Sequence, residues 1–92
     1  MYIRVLGSAA GGGYPQWNCN HPNSQRARSG DPSAPPRTQS SIAISANGKD
    51  WVLFNASPDL RQQIFDNTIL HPSGALRASP IGAVVLTNAD VD

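Results

Sequence analysis

The stretch Ile81-Gly82-Ala83-Val84-Val85-Leu86, followed by Thr87-Asn88-Ala89-Asp90-Val91-Asp92, governs how this sequence is read. Pro80 leads into a continuous apolar run from Ala83 to Leu86, the pattern of a strand buried on both faces. The chain then turns polar at the strand's carboxyl end, the edge where layered α/β folds bind ligands. Alternate residues of an extended segment point the same way, so Asn88, Asp90 and Asp92 can present three oxygen donors on one side. Amide and carboxylate oxygens suit hard or borderline cations, and two ionised carboxylates placed close together call for a counter-charge. The bland alternative is a set of loop carboxylates facing water.

A strand covered on both faces needs more layers than the rest of the chain supplies. Tyr2 to Leu6 alternates, with Ile3 and Val5 on one side and Tyr2, Arg4 and Leu6 on the other, and reads as an opening strand. Ser41–Ala46 and Trp51–Asn55 read as two strands joined by Asn47-Gly48-Lys49-Asp50, whose Asn-Gly pair suits the positive φ angles of a tight hairpin turn. Ser57-Pro58-Asp59 predicts a helix start: Ser57 as N-cap, Pro58 at the first helical position, Asp59 at the positive dipole end. Leu60 and Ile64 share a face of that helix with Phe65 beside them, and the helix ends near Asn67 or Thr68. His71 to Ser79 is loop, and His71 reads as a surface residue. One short helix against these strands is half of a layered core. The 92 residues therefore read as the N-terminal portion of a longer protein.

Composition narrows the function classes. Seven Lys+Arg against six Asp+Glu give a net charge of +1, and only 14% of residues are charged. No charge excess drives binding to nucleic acid or to a membrane surface. With 39% hydrophobic residues a packed fold is expected, yet no apolar run approaches the roughly 20 residues of a membrane span. The single cysteine rules out an internal disulfide and suits a reducing, cytoplasmic setting. Eight Gly and eight Pro imply much turn and loop.

The segment 14–36 shows no period of 2 or 3.6. It carries Tyr14, Trp17, Cys19 and His21, then a polar stretch rich in Arg, Ser, Asp and Pro. Loops this long are functional or disordered, and the expectation is an ordered first half and a mobile second half. Cys19-x-His21 offers two zinc-type donors where a structural site takes four; the alternative is a half-buried thiol and a solvated imidazole. Gly7-Ser8-Ala9-Ala10-Gly11-Gly12-Gly13 follows a strand but lacks the Lys-Ser/Thr of a phosphate loop and the helix that would hold an anion. A tight backbone path near a site and close packing under another element are the two uses left to it. Trp17 could pin the loop, Trp51 reads as structural, and Arg37 as exposed unless it pairs with a carboxylate.

Met1 to Asn20, Arg37-Thr38-Gln39-Ser40-Ser41-Ile42-Ala43-Ile44-Ser45, Leu53 to Ile64 and Val84 to Asp92 closely resemble the pyrroloquinoline quinone (PQQ) biosynthesis protein B family. The resemblance runs through essentially the whole chain, and members of that family are much longer. It implies an α/β (α+β) fold, the N-terminal portion of a metallo-β-lactamase-like αββα sandwich, with 1–92 as part of one domain. In the wider superfamily the matching turn reads His-x-His-x-Asp-His and binds two metals. Here it reads Asn88-x-Asp90-x-Asp92, which shifts the ligand set from nitrogen toward oxygen and makes iron plausible at the active-site position. Relatives also carry a Cys-x-Cys-x-x-Cys zinc knuckle, where this chain has Cys19, His21 and Ser24. Structural zinc on Cys19 and His21, or a loop ordered by Trp17 and Tyr14 instead, are the two expectations. By this resemblance the full-length protein works on the PQQ precursor peptide or a PQQ intermediate, as a metal-dependent oxidase or hydroxylase of its tyrosine moiety or as a carrier of PQQ out of the cytoplasm. A homodimer is the expected full-length assembly, and the 92 residues alone are expected to be inactive.

Overall fold

The computed structural model describes residues 1–87. It is a mixed α/β arrangement of one four-stranded sheet and two short helices. The elements in chain order are β1 (Tyr2–Gly7), α1 (Pro22–Arg28), β2 (Ser41–Ser45), β3 (Trp51–Phe54), α2 (Leu60–Asp66), a 3-10 turn (Thr68–Leu70) and β4 (Ile81–Val85). Strands lie side by side in the order β1-β2-β3-β4. The first two pairings are antiparallel, and β4 runs parallel to β3 after crossing over through α2. Among the described residues no helix is long and apolar enough to cross a membrane.

One sheet face carries the core. Leu6, Ala43, Trp51 and Leu53 pack with Leu70, and Leu60, Ile64 and Ile81 close over them. Ala43 and Leu53 are fully buried, and Leu70 nearly so. Here α2 turns Leu60, Gln63 and Ile64 inward at the i, i+3, i+4 spacing of one helical face, and Asn67, just past its end in extended backbone, is also buried. Phe65 lies outside that row and is exposed, not packed beside Ile64 as the sequence reading had it.

The other face is apolar and open. The register aligns Ile3 with Ile44 and Val5 with Ile42, then Ile42 with Phe54 and Ile44 with Val52, and those with Val85 and Ala83. Directly paired residues share a face, so eight apolar side chains line this one. Ile3 and Val5 are more than 60% exposed there. Leu6, on the opposite side of the same strand, is buried. The alternation seen in the sequence is thus real, with β-branched Ile3 and Val5 facing outward.

Four local expectations are corrected. β4 is not buried on both faces: it is the edge strand, and Val84, Val85 and Leu86 are 45%, 43% and 61% exposed, because no described element covers it. The β2–β3 connection is the hairpin expected at 47–50, but its Asn-Gly pair does not supply two positive φ angles. Only Gly48 has positive φ. Asn47 acts through its side chain instead, its Oδ1 accepting from the N–H of Lys49 and Asp50 at 2.8 and 2.9 Å. α2 starts at Leu60 after Asp59, which takes the N-cap position with no side-chain cap bond; Ser57 Oγ accepts the Asp59 N–H at 3.1 Å, and Pro58 sits in the preceding turn. Finally, segment 14–36 is not structureless. Pro22 opens α1 at its first position, and His21 Nδ1 caps it by accepting the Asn23 N–H at 3.2 Å. Its second half is tied down by the Asp31 carboxylate, which accepts from Arg26 Nε at 2.9 Å and from the Ser33 N–H at 2.9 Å. Ala34 is buried beneath it.

Candidate functional site

The pairings bring four strand termini to one sheet edge: the ends of β1, β3 and β4 and the start of β2. Loops from all of them therefore converge. Asn55, the first residue after β3, has φ 70°, and among the described residues it is the one non-glycine with positive φ. Asn tolerates this left-handed conformation better than most residues. The consequence is a three-way tie. Asn55 N–H donates to the Val85 carbonyl at 2.8 Å, and its own carbonyl accepts the Ser41 hydroxyl at 2.7 Å. Its Oδ1 accepts both the Thr87 N–H at 3.0 Å and the Thr87 hydroxyl at 2.8 Å.

From Thr87 the sequence continues directly into Asn88, Asp90 and Asp92, which lie outside the described residues. What the structure fixes is the point from which they depart. That point is the carboxyl edge of two parallel strands, β3 and β4.

A buried polar network lies behind the same edge. The Asp59 carboxylate accepts from Gln39 N–H at 2.9 Å and Gln39 Nε2 at 3.2 Å. Gln39 Oε1 in turn accepts the Gly12 N–H at 3.2 Å, so the glycine-rich loop is held from below. Gln63, 2% exposed, donates from Nε2 to the Gln39 carbonyl at 2.9 Å and to Thr38 Oγ1 at 3.1 Å. Gly7 passes under this knot, where any Cβ would meet Gln39, Thr38 and Gln63. The glycine run serves close packing here, and its Gly12 and Gly13 take positive φ.

The Cys19 loop stands apart on its own scaffold. The Ser24 hydroxyl donates to Cys19 Sγ at 3.2 Å. That bond, then the His21 backbone N–H and, to a lesser degree, the Arg28 charge, hold the Cys19 thiol below its ordinary pKa against a weaker desolvation. The loop is further fixed by the Tyr14 hydroxyl, which donates to the Asn23 carbonyl at 2.9 Å, and by Arg28 Nη2, which donates to the Gln16 carbonyl at 2.7 Å. Trp17 does not pin it, being 83% exposed. Cys19 and His21 offer two donors with Ser24 as a weak third, short of the four a structural zinc takes. Among the described residues no group of three or more His, Cys, Asp or Glu side chains is placed to hold a metal.

Arg37 is exposed, and its contribution is through backbone: it exchanges hydrogen bonds with Tyr14 at 2.7 and 2.8 Å. His71 is exposed, its Nε2 2.9 Å from the Phe65 carbonyl. Trp51 is buried in the core, as its strand position implied. Sequence reasoning missed Asn55, Gln39 and Gln63. A sequence signal existed for Asn55 alone, a residue tolerant of positive φ at the end of an apolar strand.

Comparison with known proteins places this geometry among relatives. The Beta-lactamase superfamily domain family matches residues 50–92. Coenzyme PQQ synthesis protein B of Methylobacterium radiotolerans is 63% identical over the whole chain, which spans 31% of that protein. The Klebsiella pneumoniae protein of the same name is 58% identical, again over the whole chain and 30% of its own length. The chain thus spans about a third of the curated relatives it matches. Among solved structures, the crystal structure of Zn(2+)-bound PqqB from Methylobacterium extorquens superposes with a TM-score of 0.97 at 59% identity, covering all of this chain and 31% of that one. A new diphosphatase from the PhnP family follows at a TM-score of 0.71 and 28% identity, covering 98% of this chain and 30% of that one.

Proposed function

We propose, from its similarity over its whole length to coenzyme PQQ synthesis protein B proteins, that this chain forms part of a metal-dependent enzyme of PQQ biosynthesis. The substrate is the precursor peptide or an intermediate made from it, and the reaction is oxidation or hydroxylation of the tyrosine moiety. One observation carries the reading: parallel strands β3 and β4 end together, Asn55 fixes Thr87 at that edge, and an oxygen-donor sequence follows at once.

Asn88, Asp90 and Asp92 would be the ligands this chain contributes. One amide and two carboxylates fit a hard or borderline divalent ion, and the charge of such an ion removes the repulsion between Asp90 and Asp92. When bound, a metal there would supply Lewis-acid activation, or redox activation if it is iron. The zinc carried by the Methylobacterium extorquens relative supports a metal in this family without fixing which one works. Asp90 and Asp92 act as ligands in this scheme, not as the general base. The Asn55–Thr87 tie and the Gln39–Asp59–Gln63 network keep the edge in one arrangement, the preorganisation that site chemistry needs.

The test uses a protein of the relatives' full length bearing this sequence, loaded anaerobically with ferrous iron and then given precursor peptide, oxygen and a two-electron reductant such as ascorbate, with a zinc-loaded sample as the redox-inert control. Oxygen uptake with a tyrosine-hydroxylated product is expected, and Asp90→Ala should abolish both metal uptake and turnover. Absence of both oxygen uptake and product rejects the enzyme. If the metal-free protein then binds PQQ, with affinity indifferent to Asp90→Ala, the protein is a carrier.

A further inference from the structure

We propose that Arg37 is a specificity-determining residue that binds a carboxylate of the substrate; this rests on the substrate reading above and not on the metal. The end of β1, from Val5 to Ser8, and the segment from Pro36 to Thr38 line a cavity of about 430 Å³. It lies at the sheet edge where β3 and β4 also end. A volume of this order suits a small ligand or one end of a larger one.

The walls of the cavity are fixed. The Thr38 carbonyl accepts the N–H groups of Ser8 and Ala9 at 3.0 and 2.8 Å, and the Thr38 hydroxyl donates to the Leu6 carbonyl at 3.1 Å. Arg37 stands between this pinned residue and a proline of fixed φ, with its own N–H and carbonyl both engaged by Tyr14. Its backbone is thus occupied within the fold, while its side chain is exposed. Among the described residues the guanidinium meets no carboxylate: the one ion pair is Arg26–Asp31, and Asp59 accepts from Gln39. No acidic residue lines the cavity.

A cation on a rigid base loses less freedom on binding than one on a mobile loop. The planar fork of a guanidinium matches the two oxygens of a carboxylate, and the Ser8 hydroxyl in the same lining adds a neutral donor. One cation and one hydroxyl balance a single negative charge, where the nearly double charge of a phosphate calls for more. Neighbouring strands lie about 4.8 Å apart, so the end of β1 stands roughly 14 Å from the end of β4. A peptide-derived substrate lying along this edge is held by its carboxylate at Arg37 with its phenol nearer β4. Contacts to such a remote group position the reacting one.

The test reads binding to the metal-free, full-length protein by calorimetry, with acetyl-tyrosyl-glycyl-glycine and its carboxamide as probes. The unsubstituted protein should bind the acid roughly tenfold or more tightly than the amide, the scale of a charge-assisted hydrogen bond. Arg37→Gln, which keeps the backbone pair with Tyr14, should remove that preference and leave amide binding unchanged. Arg37→Lys keeps the charge without the fork and should restore only part of the preference. A merely structural role would weaken acid and amide alike in Arg37→Gln, and that result overturns the inference. Equal binding of the two probes, binding of neither, or a preference that survives Arg37→Gln overturns it as well. So does inorganic phosphate that occupies the site as tightly as the acid. A preference lost in Arg37→Gln alongside absent turnover in the iron-loaded protein rejects the enzyme and leaves this inference standing, so the two failures are distinct.

Discussion

Asp31 shows how a surface group orders a stretch whose composition reads as loose. Its carboxylate accepts from Arg26 Nε and from the backbone and hydroxyl of Ser33, and these bonds, Arg26 foremost, lower its pKa to about 2. A depressed carboxylate contributes stability above its unfolded pKa of roughly 3.9 and loses it as pH falls toward the folded value. The clasp over residues 26–33 should therefore persist at pH 5 and release between about pH 4 and pH 2. An NMR titration of the Asp31 carboxyl checks this, and a midpoint near that of a free aspartate would refute it. Cys19 makes the complementary case, where hydrogen bonding favours the thiolate. Because the Ser24 hydroxyl is the largest cause of the lowered thiol pKa, Ser24→Ala should raise it. The thiolate fraction at neutral pH then falls, and iodoacetamide should alkylate the variant more slowly at pH 7 while the two rates converge at high pH. Equal rates at pH 7 would remove Ser24 from that role.

The elements divide by how they bury themselves. β1, the β2–β3 hairpin and β4 were visible in the sequence because period-2 alternation and apolar runs mark sheet surfaces directly. α1 was not, because its inward residues are Ser24 and Ala27, too small and too polar to raise an apolar stripe. Its signals were His21 as cap and Pro22 at the first turn, which are local and easily outvoted by a polar neighbourhood. α2 was visible through Leu60 and Ile64, yet the residues that bind it to the rest are Gln63 and Asn67. Asn67 donates to the Gln63 carbonyl at 2.6 Å and accepts from Arg4 Nε at 2.9 Å. No spacing rule identifies an inward glutamine, since its partners lie on segments 24 and 25 residues away. The candidate turn was read from residue type alone, whereas the Asn55–Thr87 bridge depends on parallel pairing that only the folded sheet provides. Gly7 tests this packing between elements. A methyl there would collide with the Gln39 carbonyl and come within 2.5 Å of Thr38 Oγ1 and 2.7 Å of Gln63 Nε2. The first of these is backbone and cannot step aside, so Gly7→Ala should cost about 1–3 kcal/mol, the usual range for overpacking. Urea unfolding of the full-length protein measures it, and a loss under about 0.5 kcal/mol, the range of an ordinary surface change, would mean that the knot is loose.

The two faces of the sheet set the behaviour of the whole. On one side Leu6, Ala43, Trp51, Leu53 and Leu70 form a closed core. On the other, Ile3, Val5, Ile42, Ile44, Val52, Phe54, Ala83 and Val85 lie in register across all four strands with nothing described above them. The radius of gyration is 14.8 Å, above the roughly 12 Å expected of a compact domain of this length, and the extents of 44 × 28 × 26 Å are those of an elongated body. Contiguous apolar surface on this pattern is what a packed layer needs and what water does not tolerate. Tested as an isolated 92-residue chain, the protein should bind a hydrophobic dye and self-associate with rising concentration. Val5→Lys places a charge in the middle of the open face, 63% exposed. In the isolated chain it should reduce both dye uptake and association, because a lysine there meets only water. In the full-length protein the same substitution should lower stability by roughly 3 kcal/mol or more, because burying an unpaired charge beneath a second layer is far costlier than losing a valine. Sedimentation of the isolated chain and thermal melting of the full-length protein read the two arms. Opposite signs establish that this face is an interior surface of the sandwich, whereas a neutral effect in the full-length protein would leave it facing solvent there as well.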